Sequence, residues 1–171
     1  IMYETINSPI NYGGLELKNR IIFAPTTLGV SEEEYFERIR GIAAGGCGMI
    51  IIGDVPVGKS RFEKSLFDKK GFAYYKKLTE IAHSNHCRIC AQLHQTDSNM
   101  LAMLKYVPGV LTKKISMQEL RTLLNNEVAP YITKLPKSKI RSIINGFGEA
   151  AVLAVDAGFD MVQIHGDRMC G

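Results

Sequence analysis

The sequence predicts an α/β fold of parallel β/α units with a small hairpin in front. Short apolar runs, too brief for helices, recur at 21–25 (IIFAP), 49–52 (MIII), 89–93 (ICAQL) and 160–165. Between them, stretches 31–45, 72–86 and 138–157 carry apolar residues at three- and four-residue spacing, the period of one helix face. Each apolar run ends abruptly in Gly, Thr, Gln, Asp or His. The C-terminal tips of buried parallel strands are where α/β enzymes place their chemistry.

Each element has its own local signal. Within Ile1 to Arg20, Pro9 and Asn11-Tyr12-Gly13-Gly14 precede Leu15 and Leu17, which predicts a hairpin. The first core strand, Ile21 to Pro25, ends in Thr26 and Thr27. Ser31 with Glu34 spells a capping box, three glutamates suit the positive helix end, and Gly45 supplies the stop. The second strand, Met49 to Ile52, is closed by Gly53 and Asp54. Gly53 and Gly58-Lys59-Ser60 fit the spelling of a phosphate-binding loop, but Pro56 and Arg61-Phe62-Glu63-Lys64 are a poor start for the helix it needs. A flexible loop is the preferred reading.

The second helix, Phe72 to His86, puts Tyr75, Leu78, Ile81 and Ala82 on one face. The third strand, Ile89 to Leu93, carries Gln92, and His94 follows it. The rhythm then breaks. Residues 95–137 read as an insertion with a short helix capped by Ser116 and Glu119 and loops at Pro108-Gly109 and Pro136. An insertion after a strand tip is expected to shape a binding site. The third helix aligns Ile140, Ile143, Phe147, Ala150, Ala151 and Ala154, and Gly158 stops it. The fourth strand, Asp160 to His165, leads into Gly166, Asp167 and Arg168.

Bulk properties exclude several classes. At 171 residues and 46% hydrophobic, the chain suits one core, so residues 1–171 are expected to form a single domain. A net charge of +4 with interspersed signs gives no nucleic-acid stripe. No apolar run approaches a membrane span, and no secretory signal is visible, so a cytoplasmic protein is expected. Cys47, Cys87, Cys90 and Cys170 read as reduced thiols. Cys87 and Cys90 form a CxxC, read as ordinary buried thiols because no second pair completes a metal site. The sequence opens on Ile1 and stops just after Cys170, within a site-like loop, and reads as a piece of a longer chain.

Parallel strands with helical crossovers fit either an open doubly wound sheet or part of an eight-stranded barrel, and a whole barrel takes about 250 residues. Four segments in order resemble the Old Yellow Enzyme family of FMN-dependent ene-reductases, with its dienoyl-CoA and enoate reductase relatives. They are LKNRIIFAPTT, GGCGMIIIGDV, ICAQLH and FGEAAVLAVDAGFDMVQIHG. The resemblance covers nearly the whole chain but only the N-terminal half of a TIM barrel, about four strands. It implies an NAD(P)H-dependent flavoprotein using FMN to reduce an activated C=C bond. It implies that Pro25, Thr26 and Thr27 lie along the flavin ring, with Thr27 tuning the C4 carbonyl. By the same resemblance Gly53 and Asp54 offer backbone to the ring and Gln92 bonds its pyrimidine edge. His165 matches the group that holds the substrate carbonyl oxygen. These roles require Thr27, Gln92 and His165 to face one flat cavity.

The residue chemistry is compatible, because an amide offers both donor and acceptor and a His donor stabilises enolate-like charge. The plainer readings are that Gln92 satisfies loop backbone and that His165 is structural. The sequence departs from the family pattern at Arg168, usually His or Asn, at Cys170, usually the proton-donating Tyr, and at Gly29, aromatic in some members. Arg168 suits a carboxylate-bearing substrate such as an enoate, and Cys170 or water would supply the proton. Strands five to eight, which hold the flavin phosphate in the family, have no counterpart. The chain is therefore expected to be incompetent alone and to associate with a second barrel half or form an oligomer. An iron–sulfur cluster, present in some relatives, would belong to a missing C-terminal part. Other classes are a sugar-phosphate lyase or isomerase on another barrel, for which Asp54 is the candidate base, and a non-catalytic assembly module.

Overall fold

A computed structural model describes residues 3–26, 28–60, 63–95 and 105–166. The chain divides into two compact units, Ile1–Gln95 with Gly146–Gly171, and Thr96–Asn145.

In the first unit a one-turn helix α1 (Glu4–Asn7) precedes the hairpin β1 (Ile10–Tyr12) and β2 (Leu15–Leu17). Gly13 and Gly14 have φ of +61° and +90°, the left-handed pair a tight two-residue turn demands. A parallel sheet follows in the order β3 (Ile22–Phe23), β4 (Met49–Pro56), β5 (Arg88–His94), β6 (Met161–Ile164). The sheet and its helices confirm the α/β class and the parallel β/α units expected from the sequence.

Local chemistry sets the helix ends. In α2 (Glu32–Ala44) the Ser31 hydroxyl accepts the Glu34 N–H at 3.3 Å, while the Glu34 carboxylate pairs with Arg38 one turn on. The left-handed residue after α2 is Gly46 (φ +95°), one past the expected stop. The next helix, α3 (Lys69–His83), starts three residues earlier than the apolar spacing suggests, because the Asp68 carboxylate caps the Gly71 N–H at 2.8 Å. Among the described residues the next helix after Gly58-Lys59-Ser60 begins only at Lys69, which agrees with the loop reading.

The sheet has two apolar faces. On the outer one, Ile50, Ile52, Ile89, Ala91 and Leu93 pack with Phe36 and Ile39 of α2 and Tyr75, Leu78 and Ile81 of α3. Ala150 and Ala154 come from the last helix, named below. Ile39 and Leu78 are fully buried, each worth about 1.5–3 kcal/mol over exposure. On the inner face Met49 and Cys90 pack with Leu17, Leu15 and Ile10 of the hairpin. The hairpin thus covers the inner face near the strand starts, leaving the C-terminal tips for polar groups.

The second unit holds α4 (Val107–Leu111), α5 (Met117–Thr133) and the start of α6 (Lys137–Asp156). Pro108-Gly109, expected as a loop, lies inside α4, where proline fits the first turn. The expected box forms in full at α5: the Ser116 N–H reaches Glu119 Oε2 at 2.8 Å, and the Glu119 N–H reaches Ser116 Oγ at 3.2 Å. On α6 Ile140 is exposed, and burial is confined to Ala150 and Ala154, with Phe147 and Ala151 partly buried. No helix among the described residues is long and apolar enough to cross a membrane.

Candidate functional site

The site is built where β4 breaks its register with β5. Ile52 pairs with Ala91 and Val55 with Leu93, so Gly53 and Asp54 together oppose Gln92. That is a β-bulge, a device that bends a strand and re-aims its residues. The strand, expected to close at Gly53-Asp54, instead continues through the bulge to Pro56. Asp54 takes φ +56°, a left-handed conformation that costs a non-glycine residue energy. The absence of a side chain at Gly53 lets Pro25 and Gln92 close on the strand: a Cβ there would sit 3.1 Å from the Pro25 Cβ and 3.6 Å from Gln92 Oε1. Pro25, Gly53 and Gln92 are therefore brought together.

Gln92 is buried, and its Nε2 donates to Gln163 Oε1 at 2.8 Å. Gln163 is its register partner on β6. Gln163 is not among the site residues expected from the sequence, although an amide inside the apolar run MVQI was the available signal. His165 follows two residues later, and its N–H donates to the Leu93 carbonyl at 2.9 Å, prolonging the β5–β6 pairing. Strand alternation puts His165 on the Gln163 face. Thr26 is exposed at the end of the β3 segment. Thr27, Arg168 and Cys170 lie outside the described residues.

Asp54 lines an outward cavity of about 430 Å³ with Tyr35, Tyr74 and Tyr75, which Thr26 and Gly53 also border. Burial, and secondarily the Asp54 charge, raise the Tyr35 hydroxyl above its ordinary range. His94 is buried with its Nε2 3.6 Å from Glu63 Oε1, and that nitrogen has no hydrogen-bond partner among the described residues. No group of His, Cys, Asp or Glu among them could hold a metal ion.

The sequence matches the NADH:flavin oxidoreductase / NADH oxidase family over residues 5–168. The chain belongs to the NADH:flavin oxidoreductase family. It is 58% identical over 171 residues to a bilirubin reductase of Clostridium symbiosum, covering 99% of this chain and 46% of the relative. It is 29% identical over 170 residues to a bilirubin reductase of Mediterraneibacter gnavus, covering 95% of this chain and 26% of the relative. The chain thus spans less than half the length of either relative. Among solved structures, the Old Yellow Enzyme from Pichia sp. AKU4542 superposes with a TM-score of 0.65 at 21% identity, covering 94% of this chain and 45% of that one. Histamine dehydrogenase from Rhizobium sp. 4-9 gives a TM-score of 0.67 at 18% identity, covering 98% and 26%. These structural likenesses show the fold: the four-stranded sheet corresponds to part of a TIM barrel.

Membership of the NADH:flavin oxidoreductase family implies FMN and NAD(P)H. The residues present fit a flavin ring. Gly53 allows Pro25 to approach closely, so Pro25 and the bare strand form an apolar surface beside the Gln92 amide. The buried Gln92 amide, anchored at its nitrogen, offers its oxygen on the Gly53 side. That combination suits a heteroaromatic ring with a hydrogen-bonding edge.

Proposed function

We propose that this chain forms the flavin-ring half of an NAD(P)H-dependent reductase of activated C=C bonds. The observation that carries the proposal is the convergence of Pro25, Gly53 and Gln92 at one bulged strand tip, with Gln163 holding the Gln92 amide. The chemistry bound FMN supplies is relay of a hydride from NAD(P)H to the β-carbon of the substrate. Gln92 holds the ring edge, and Gln163 holds Gln92. His165 donates a hydrogen bond to the substrate carbonyl oxygen, stabilising the enolate-like charge that grows as hydride arrives. Arg168, by its fork of donors, binds a substrate carboxylate. Cys170 or water delivers the proton to the α-carbon.

The substrate class follows from the same groups and from the relatives. Bilirubin, named for the relatives in Clostridium symbiosum and Mediterraneibacter gnavus, carries conjugated C=C bonds, carbonyl groups and carboxylates. We take it as the first substrate to test, with simple enoates second. The outer face of β6 leaves Ile164 68% exposed and Val162 37% exposed, so the sheet is proposed to work inside a larger closed barrel.

The test is anaerobic assay of the intact purified protein for bound flavin, NAD(P)H oxidation and loss of bilirubin. A yellow protein that couples the last two supports the proposal. A protein that neither carries nor takes up FMN, or one that oxidises NAD(P)H and leaves every C=C bond intact, sinks it.

A further inference from the structure

We propose that the tyrosine-lined cavity beside the Gly53 strand tip binds the far, unreacting ring half of a long conjugated substrate. The inference rests on the reductase proposal and adds where the rest of the substrate lies.

Thr26 and Gly53 border the cavity, and Gly53 also adjoins Pro25 and Gln92. The strand tip proposed to carry the flavin ring is therefore one wall of the cavity. Ile52 lines it too, and Ile52 packs on the outer face of the sheet. A ligand that reaches from the inner rim into the cavity has to turn over that tip. At about 430 Å³ the cavity falls within the about 300–1,000 Å³ of small-molecule sites.

The lining selects a flat ring. Tyr35 of α2 stacks loosely on Tyr74 of α3, with ring centroids 6.4 Å apart and planes at 27°. Tyr75 meets Tyr74 edge-on at 5.2 Å, and its hydroxyl donates to the Lys64 carbonyl at 3.0 Å. Tyr75 is 3% exposed, so this wall is set before a ligand arrives. Aromatic walls favour the faces and edges of other rings. The charged groups select what the ring carries. Asp54 and Glu63 bring carboxylates, which accept hydrogen bonds and donate none. Lys64 is the cation among the described lining residues, and its ammonium is held by Glu32 and lies over the Tyr74 ring at 5.0 Å. A carboxylate group is repelled here, and a ring N–H is attracted. The cavity therefore takes a flat conjugated ring with N–H donors and leaves the substrate carboxylate to Arg168, as in the reductase proposal.

Bilirubin, the first substrate to test, has this form. Its two flat halves each carry ring N–H groups, and a single saturated carbon joins them, which lets the molecule bend over an edge. One half lies at Gln92 and His165, the other beside Tyr35 and Asp54. A simple enoate is too short to reach the cavity. No bond is made or broken there. The cavity supplies binding energy to the long substrate alone.

The experiment compares the intact purified protein with Tyr35→Leu, Tyr35→Phe and Val30→Trp, the last chosen to fill the cavity from its lining. Each is titrated with bilirubin, followed by visible absorbance, and assayed with bilirubin and with cinnamate, a simple enoate. Tyr35→Leu is expected to weaken bilirubin binding and raise its KM roughly two- to tenfold, and Val30→Trp by more. Tyr35→Phe keeps the ring face and should stay near wild type. Bound FMN and the cinnamate constants should not move. Val30→Trp carries the test if Tyr35→Leu does not fold. Bilirubin and cinnamate constants that shift together, or variants that bind bilirubin as the wild type does, overturn the inference. A wild-type protein that reduces no C=C bond ends the reductase proposal instead, and the bilirubin titration still decides the cavity.

Discussion

Gln92 on β5 and Gln163 on β6 join their side chains at 2.8 Å across paired register positions. The bond fixes which end of the Gln92 amide points toward Gly53. Gln163→Leu removes the anchor and leaves the strand apolar. A neutral hydrogen bond of this kind is worth about 1 kcal/mol, so FMN affinity of the intact protein should fall roughly fivefold. Combined with Gln92→Leu, the losses should be less than additive. Independent, additive losses in a flavin titration would separate Gln163 from the site.

Gly53 is the position where added bulk should matter most. A Cβ at 3.1 Å from Pro25 Cβ must displace a ring that cannot flex away. Gly53→Ala should therefore weaken FMN binding and cost roughly 1–3 kcal/mol of stability. Gly148, exposed inside α6 where an added Cβ would meet nothing within 4 Å, is the control: Gly148→Ala should leave FMN binding unchanged and raise stability by about 0.5–1 kcal/mol through helix propensity.

Asp160 closes the opposite end of the sheet. Its carboxylate accepts the Ile89 N–H at 2.9 Å and meets Arg88 Nη1 and His83 Nε2 at 2.8 Å each. Asp160→Ala orphans a backbone donor next to the core and unties α3 from β5. The expected loss is about 2–3 kcal/mol, read as a fall in Tm of roughly 4–12 °C. Arg88→Ala should cost much less, because that side chain is 46% exposed.

The α5 cap should titrate. Hydrogen bonds from the Ser116 N–H and hydroxyl hold the Glu119 carboxyl below its ordinary range. Since the folded value is depressed, the cap contributes fully above the unfolded carboxyl pKa of about 4.3. It is lost as pH falls through the folded value. The Ser116 amide shift, followed by NMR from neutral to acid pH, should report that loss. Glu119→Gln keeps a capping partner without a charge and should abolish the transition.

Much of the fold was legible in the sequence. The hairpin, the helices, the Ser116 box and the parallel order all rest on signals within a few residues, such as apolar spacing, caps and glycine stops. The candidate site was legible in part. Gln92 and His165 stood out as polar tips on apolar strands, and Pro25 and Gly53 entered through the family resemblance. Asp54 was grouped with them for its backbone, and it also borders the tyrosine-lined cavity, as Thr26 and Gly53 do.

Taken alone, the residues of this chain determined the family, the β/α alternation and the rim on which polar groups gather, because each depends on local pattern. Only the tertiary structure decided that Gln163 meets Gln92 and that Asp160 ties Ile89, Arg88 and His83 together. Those pairs are joined by strand register, and register is set by how distant strands align, which no short stretch of sequence encodes.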